Sequence, residues 1–348
     1  MRVTTCLRPV GVGGLAGLSF GVEFVPQEPI LSIADYVKLA EERGFKYTWI
    51  TDHYNNRDVW STLSILALKT EKIKLGSGVT NPYTRNVAQI ASAIITIDEL
   101  SNGRAVLGIG PGDRATFETL GIQWVKPVKT IVEAVTVIRR LIAGERLKFE
   151  GEVIRLSGAK LAVKPKAAIP IYVGAQGPVM LRTAGQIGDG VLINASHPKD
   201  FQAAISYVKE GVEKSGRRME DIDVAAYTSF SIDQDPNKAE KAARIVVAFI
   251  VAGAPDQILE RHGIGLEGAK TIKEAIGKGD FKTATKSVTS EMLNAFSICG
   301  TPENCISRIE ELLKTGVTQI VVGSPIGSDK KNSINLIGEK IIPSFQKP

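Results

Sequence analysis

The sequence predicts a closed barrel of eight parallel strands alternating with helices, and three observations carry that prediction. Short apolar runs alternate with longer helix-periodic segments, the order that gives parallel strands joined by right-handed crossovers. Eight such strand-helix units fit between Leu18 and Pro325. The apolar runs also end in glycines or small polar groups, where a buried strand gives way to a loop that exposes backbone. In barrels of this class the carboxyl ends of the strands build the site.

Each element follows from its residues. The first strand is Leu18 to Val25, with Glu23 inside an otherwise apolar run. Ser32 is expected to cap the next helix, with Asp35 three residues on, Ile33, Tyr36, Val37 and Ala40 on one face, and Gly44 as its stop. Strand Tyr47 to Ile50 runs to Asp52 and His53, and Ser61 to Leu68 supplies a helix. Strand Ile73 to Leu75 breaks into a loop with Gly76, Gly78, Val79, Thr80 and Asn81, whose close glycines let main chain approach a flat ligand. A helix from Ala88 to Leu100 and a turn at Asn102-Gly103 lead to strand Ala105 to Ile109, which ends at Gly110-Pro111-Gly112-Asp113.

After a helix over Val128 to Ala143, residues 148–164 break the rhythm with a small strand pair, Phe149 to Ile154 and Ala159 to Val163. The alternation resumes with strand Ile169 to Val173, helix Val179 to Ala184, strand Gly190 to Ile193, helix Asp200 to Lys214 and strand Ile222 to Tyr227. A mostly helical insertion fills 237–295 and contains the apolar run Ile245 to Val251. Thr301-Pro302 opens the last helix, since proline suits the first helical position, and strand Thr318 to Val322 ends at Gly323-Ser324-Pro325. One barrel domain, 18–348, thus carries insertions near 148–164 and 237–295, and residues 1–17 read as a disordered extension.

Composition narrows the function. A chain of 348 residues, 43% hydrophobic and 23% charged, is globular and long enough for one such barrel. The net charge of +6 comes from interleaved signs with no basic block beside aromatics, which argues against nucleic acid, although a positive field helps gather an anionic ligand. Cys6, Cys299 and Cys305 make no disulfide framework and fit a reducing cytoplasm. His53, His197 and His262 have no partner at metal-ligand spacing, so no metal site is expected. No apolar run is long enough to span a bilayer.

The candidate site residues are those of the strand ends. Glu23 among apolar neighbours has its pKa raised above the usual value of about 4.3, which suits a proton donor; the competing reading is a buried glutamate paired with Lys or Arg. Asp113 either orients a ligand or caps a helix. Asp52 and His53 form either an acid-base pair or loop caps. Gly174-Ala175-Gln176-Gly177 precedes a helix whose first N–H groups suit a phosphate. The fold brings these groups, with Thr80 and Asn81, around one mouth.

Taken together, the stretches Thr51 to Arg57, Gly78 to Arg85, Gly103 to Asp113, Gly174 to Pro178, Leu192 to Asp200, Ala248 to Gly253 and Val321 to Gly327 closely resemble the methylenetetrahydromethanopterin reductases of the bacterial-luciferase-like superfamily. The resemblance runs over nearly all of 19–345. It implies an eight-stranded TIM barrel and a 5-deazaflavin carrier, coenzyme F420, at its mouth. It implies reversible hydride transfer that reduces the methylene group of methylenetetrahydromethanopterin to methyl, in a homo-oligomer. By the same resemblance Gly78–Val79 is a non-prolyl cis peptide behind the deazaflavin ring. Glu23 is the group that protonates or stabilises the pterin nitrogen as the bridge opens. Asp113 holds the deazaflavin or pterin head, with Asp52 assisting catalysis, and Gly174 to Gly177 lie near the cofactor tail. Asp52, His53, Gly78, Val79, Thr80, Asn81, Gly110 and Gly112 complete the cofactor's surroundings. Ser77 stands where the family usually has proline, and Ser328 replaces another proline. Two alternatives stay open: another luciferase-like oxidoreductase, acting with F420 on an alcohol or sugar phosphate or with FMN as a monooxygenase, and a cofactor-binding protein without catalysis.

Overall fold

The computed structural model describes residues 17–346. The extension read over 1–17 lies, except for Gly17, outside the described residues. The chain enters the barrel through β1 (Ser19–Phe24), β2 (Tyr47–Ile50), β3 (Lys74–Ser77) and β4 (Ala105–Ile109). The antiparallel hairpin of β5 (Leu147–Glu150) and β6 (Arg155–Ala159) interrupts it. Then come β7 (Ile171–Gly174), β8 (Gly190–Asn194), β9 (Asp223–Ile232), β10 (Ile298–Gly300) and β11 (Gln319–Ile326). Among the described residues, β1, β2, β3, β4, β7, β8, β9 and β11 close a parallel cylinder of eight strands. β9 shuts it by pairing with β8 (Gly190 opposite Asp223) and with β11 (Ala225 opposite Gln319).

The strands are covered on both faces, by the barrel interior and by helices, so they read as nearly continuous apolar runs. Inside, Tyr47 stacks on Trp49 at 5.9 Å and Tyr172 meets Trp49 edge-on at 5.1 Å. Gly76 makes room for this filling: a Cβ there would come within 2.5 Å of the Trp49 ring. Outside, faces such as Ile33, Val37 and Ala40 of helix Ile30–Glu42, or Ile90, Ile94 and Ile97 of helix Val87–Leu100, are buried against the strands.

Local signals place most element ends. Asp58 and Asn86 accept from the backbone N–H groups of Ser61 and Ala88, and Thr301 forms a capping box with Asn304. Asn102 (φ 58°) and Gly103 (φ 88°) make the expected left-handed turn. The Gly78–Val79 peptide is cis, as the resemblance indicates, and so is Ser324–Pro325.

Three places differ from the sequence expectation. The first helix starts after Pro29, not Ser32, because a proline with φ −52° already has the entry geometry and has no N–H to leave unpaired. The strand pair sits earlier than 149–154 and 159–163. The reason is Glu133, a distant carboxylate that gathers the N–H groups of Glu152, Val153 and Ile154 at 2.8, 3.0 and 2.9 Å and so makes them the turn. A helical run from Lys330 to Phe345, unanticipated in the sequence, buries Ile334, Ile337 and Ile341 and seals the barrel beside helix Ile30–Glu42.

The segment expected as a helical insertion forms five helices among the described residues, from Pro236–Gly253 to Ser290–Phe296, with an apolar cluster of its own around Val247, Val251, Ile272 and Met292. The apolar run in the first of them is spent largely inside the chain: Val247, Ala248 and Val251 are buried, while Phe249 is 49% exposed against Phe281. Beyond it, β10 adds to the upper end of β9, with Ile298 opposite Phe230, and together with β11 (Gly323 opposite Ser229) it carries β9 past the expected Tyr227.

Candidate active site

A cavity of about 780 Å³ opens at the carboxyl ends of the strands. Glu23, Asp52, His53, Gly78, Val79, Asn81, Gly112, Asp113 and the loop Gly174 to Gly177 all line it. Two other expected residues do not reach the cavity. Thr80 and Gly110 form the layer beneath it: Gly110 N–H donates to the Thr80 carbonyl at 2.9 Å, and the Thr80 hydroxyl donates to Asp52 at 2.7 Å.

Glu23 projects inward from β1 and is 5% exposed. The Ser324 backbone N–H donates to its Oε2 at 2.8 Å. Burial pushes the carboxyl's pKa up, against smaller opposing effects from Ser324 and from the Lys330 charge. No Lys or Arg among the described residues lies at ion-pair distance from it, so the paired-glutamate alternative does not describe this side chain.

Asp52 is placed very differently. Arg85 grips it with Nε and one terminal nitrogen, both at 3.0 Å, and also reaches Asp58 at 2.7 Å. This two-pronged pair fixes a carboxylate at the end of β2, with exposed His53 beside it. Asp113 accepts from the Thr116 N–H at 2.8 Å, so it caps helix Arg114–Thr119 while standing on the cavity rim. Asn81 accepts from the N–H groups of Tyr83 and Thr84 at 3.0 and 2.9 Å, which holds its loop in a tight turn.

Backbone comes unusually close at the wall. A Cβ on Gly110 would come within 2.8 Å of a Val79 methyl, and one on Gly174 within 3.2 Å. Gly112 (φ 63°) lies so near Phe117 that a Cβ would come within 2.4 Å of the ring. Thr51, also on the wall, has a buried hydroxyl with no hydrogen-bond partner among the described residues. Gly177 precedes helix Pro178–Ile187, whose first-turn N–H groups have no carbonyl of their own helix to bond.

Four of the cavity residues that the sequence reading did not single out shape it most. Tyr227 of β9 donates its hydroxyl to the Gly78 carbonyl at 3.1 Å. Trp124 donates to the Pro111 carbonyl at 2.8 Å and steadies the Pro111-Gly112 turn. Val246 and Ile250, from helix Pro236–Gly253, form an apolar wall. The available signals were strand parity for Tyr227, two steps of two from Asp223, and the i, i+4 spacing of Val246 and Ile250.

A parallel barrel whose strand ends enclose one cavity is the architecture of the luciferase-like monooxygenases. The model of that family matches residues 12–319, and the chain belongs to it. Its relatives within the family include reductases. The chain is 57% identical to 5,10-methylenetetrahydromethanopterin reductase of Methanolobus tindarius, over 93% of this chain and 100% of that protein. It is 57% identical to the protein of the same name from Archaeoglobus fulgidus, over 94% and 100%. The solved structure of coenzyme F420-dependent tetrahydromethanopterin reductase from Methanopyrus kandleri superposes with a TM-score of 0.91 at 48% identity, covering 95% of this chain and 100% of that one.

Proposed function

We propose that this chain is a coenzyme F420-dependent 5,10-methylenetetrahydromethanopterin reductase, catalysing the reversible reduction of the methylene group to methyl. The observation that carries it is 57% identity over the full length of a relative bearing that name. The cavity fits the cofactor. Gly110 and Gly174 leave room for the Val79 methyls from behind, and Gly78 fits between Tyr227 and Trp49, so main chain and one valine form a flat wall for a planar ring. The unpartnered Thr51 hydroxyl and the fixed Asp52 carboxylate supply polar groups for its edges.

Gly78, Val79, Asn81 and Gly112 would hold the ring, Asp52 and His53 its rim, and Gly174 to Gly177 the phosphate-bearing tail at the start of helix Pro178–Ile187. When bound, the reduced deazaflavin supplies a hydride, two electrons in one step. The protein's work is then alignment and proton handling. Glu23 keeps its proton to a higher pH than a surface glutamate and passes it to the pterin nitrogen. Asp113 orients the bound head from the rim. Arg85 holds Asp52 in place with two hydrogen bonds. Trp124, Val246 and Ile250 exclude water from the opposite side.

The same reading takes residues 18–348 as one cytoplasmic barrel domain with insertions near 148–164 and 237–295, acting on a small molecule and not on nucleic acid. No helix among the described residues is long and apolar enough to cross a membrane. The exposed Phe249–Phe281 pair supports a homo-oligomer, and a monomer in sedimentation would count against that part. The functional test is the absorbance of reduced F420 followed during incubation with methylenetetrahydromethanopterin. Oxidation of F420 is expected, with little turnover on FMN. Equal or faster turnover with FMN, or reaction only with an alcohol or sugar phosphate, would sink the reading.

A further inference from the structure

One stretch of the cavity wall is gripped from two sides. The Gly78 carbonyl accepts from the Tyr227 hydroxyl at 3.1 Å. A Cβ on Gly78 would come within 2.7 Å of that hydroxyl and 2.9 Å of the Trp49 Cβ, so the backbone is pressed between two aromatic residues. Trp49 is itself fixed: its indole N–H donates to Gln319 at 3.0 Å, and Gln319 donates to the buried Asp223 at 2.8 Å. The next residue, Val79, faces the cavity with its methyls filling the space beside Gly110 and Gly174. The platform beneath Gly78 is therefore rigid, and the Tyr227 hydroxyl is the contact that closes the grip from the cavity side.

We propose that Tyr227 is a positioning residue for the cofactor, fixing the Gly78 carbonyl against Trp49 and with it the surface that Val79 presents to a bound planar ring. The inference rests on the F420 reading above. A phenol has one proton to donate, and here it is committed to Gly78. Burial pushes the Tyr227 hydroxyl's pKa well up, so that proton stays in place near neutral pH. Toward the cavity Tyr227 then offers only lone pairs, and a ligand edge that meets it must bring an N–H or O–H.

The test is a titration of the full-length protein with F420, read by cofactor fluorescence, for wild type, Tyr227→Phe, Gly78→Ala and the double variant, with thermal midpoints alongside. Tyr227→Phe removes one neutral hydrogen bond, so F420 affinity should fall about 3- to 10-fold. The midpoint should stay within about 2 °C, since a merely structural hydroxyl would move stability and not affinity. A Cβ at residue 78 contests the space of the Tyr227 oxygen, so the double variant should bind F420 more tightly than Gly78→Ala alone. Wild-type affinity in Tyr227→Phe, or additive effects in the double variant, overturns the inference and leaves the function standing. Failure of the wild type to bind F420 overturns both.

Discussion

Glu23 and Asp223 are two carboxyls buried in the same barrel, 5% and 2% exposed, and burial pushes both pKa values up. Their surroundings part them. Asp223, at the start of β9, accepts from Tyr172 at 2.6 Å, Thr318 at 2.5 Å and Gln319 at 2.8 Å. Glu23, at the end of β1, has Ser324 for a partner and the cavity for a neighbour. Burial alone thus does not mark a reactive carboxyl. A carboxylate ringed by donors has its hydrogen-bonding capacity used and acts as a strut. One that is desolvated yet open to a ligand still has a proton to trade.

The comparison breaks most visibly in turnover. Glu23→Gln keeps the shape and removes the acid, so kcat should fall by about 10² to 10⁴ while F420 affinity stays nearly intact. Near-normal turnover at neutral pH would mean that the proton comes from Asp52, His53 or water. The converse change, Asp223→Ala, orphans the buried donors of Tyr172 and Gln319 and takes a partner from half-buried Thr318, so it should cost about 3 kcal/mol in urea unfolding, with turnover per folded molecule affected far less than in Glu23→Gln. If Asp223→Ala left stability unchanged, its donors would not need it and the strut reading would fail.

The smallest effect is in pH dependence. The folded-state pKa of Glu23 is raised, so between the unfolded value near 4.3 and the folded one the native chain binds more protons. Its contribution to stability is therefore full below the unfolded pKa and is lost as pH rises through the folded one. Glu23→Gln removes that slope and should unfold at a urea concentration no lower than wild type at pH 8. A variant clearly less stable than wild type at pH 8 would show that the charged form is favoured where it sits.

The barrel was legible because its strands announce themselves: Tyr47–Ile50 and Ala105–Ile109 lie where their apolar runs and flanking polar groups put them. Glu23 was legible for the opposite reason, as one polar residue that an apolar strand has no packing use for. What the sequence hides depends on partners far along the chain. Glu133 fixes a hairpin about twenty residues away, Arg85 turns Asp52 into an anchor, and Tyr227 reaches across the barrel to Gly78. Each is an ordinary residue of its helix, loop or strand until closure of the cylinder brings it to its partner. Asp113 could be read both ways from its neighbours, and the fold realises the capping geometry at a position that also borders the cavity.

Val246 and Ile250 stand on a helix outside the eight barrel strands, yet they wall the same cavity as Glu23 and Val79. The pocket is consequently shaped by the barrel's strand ends, scattered along the chain, and on one side by a single continuous helix. Exchange of that helix face for a differently sized one would reshape the cavity from one side and leave the strand ends in place. For an engineer, that makes one helix turn the natural place to begin a library.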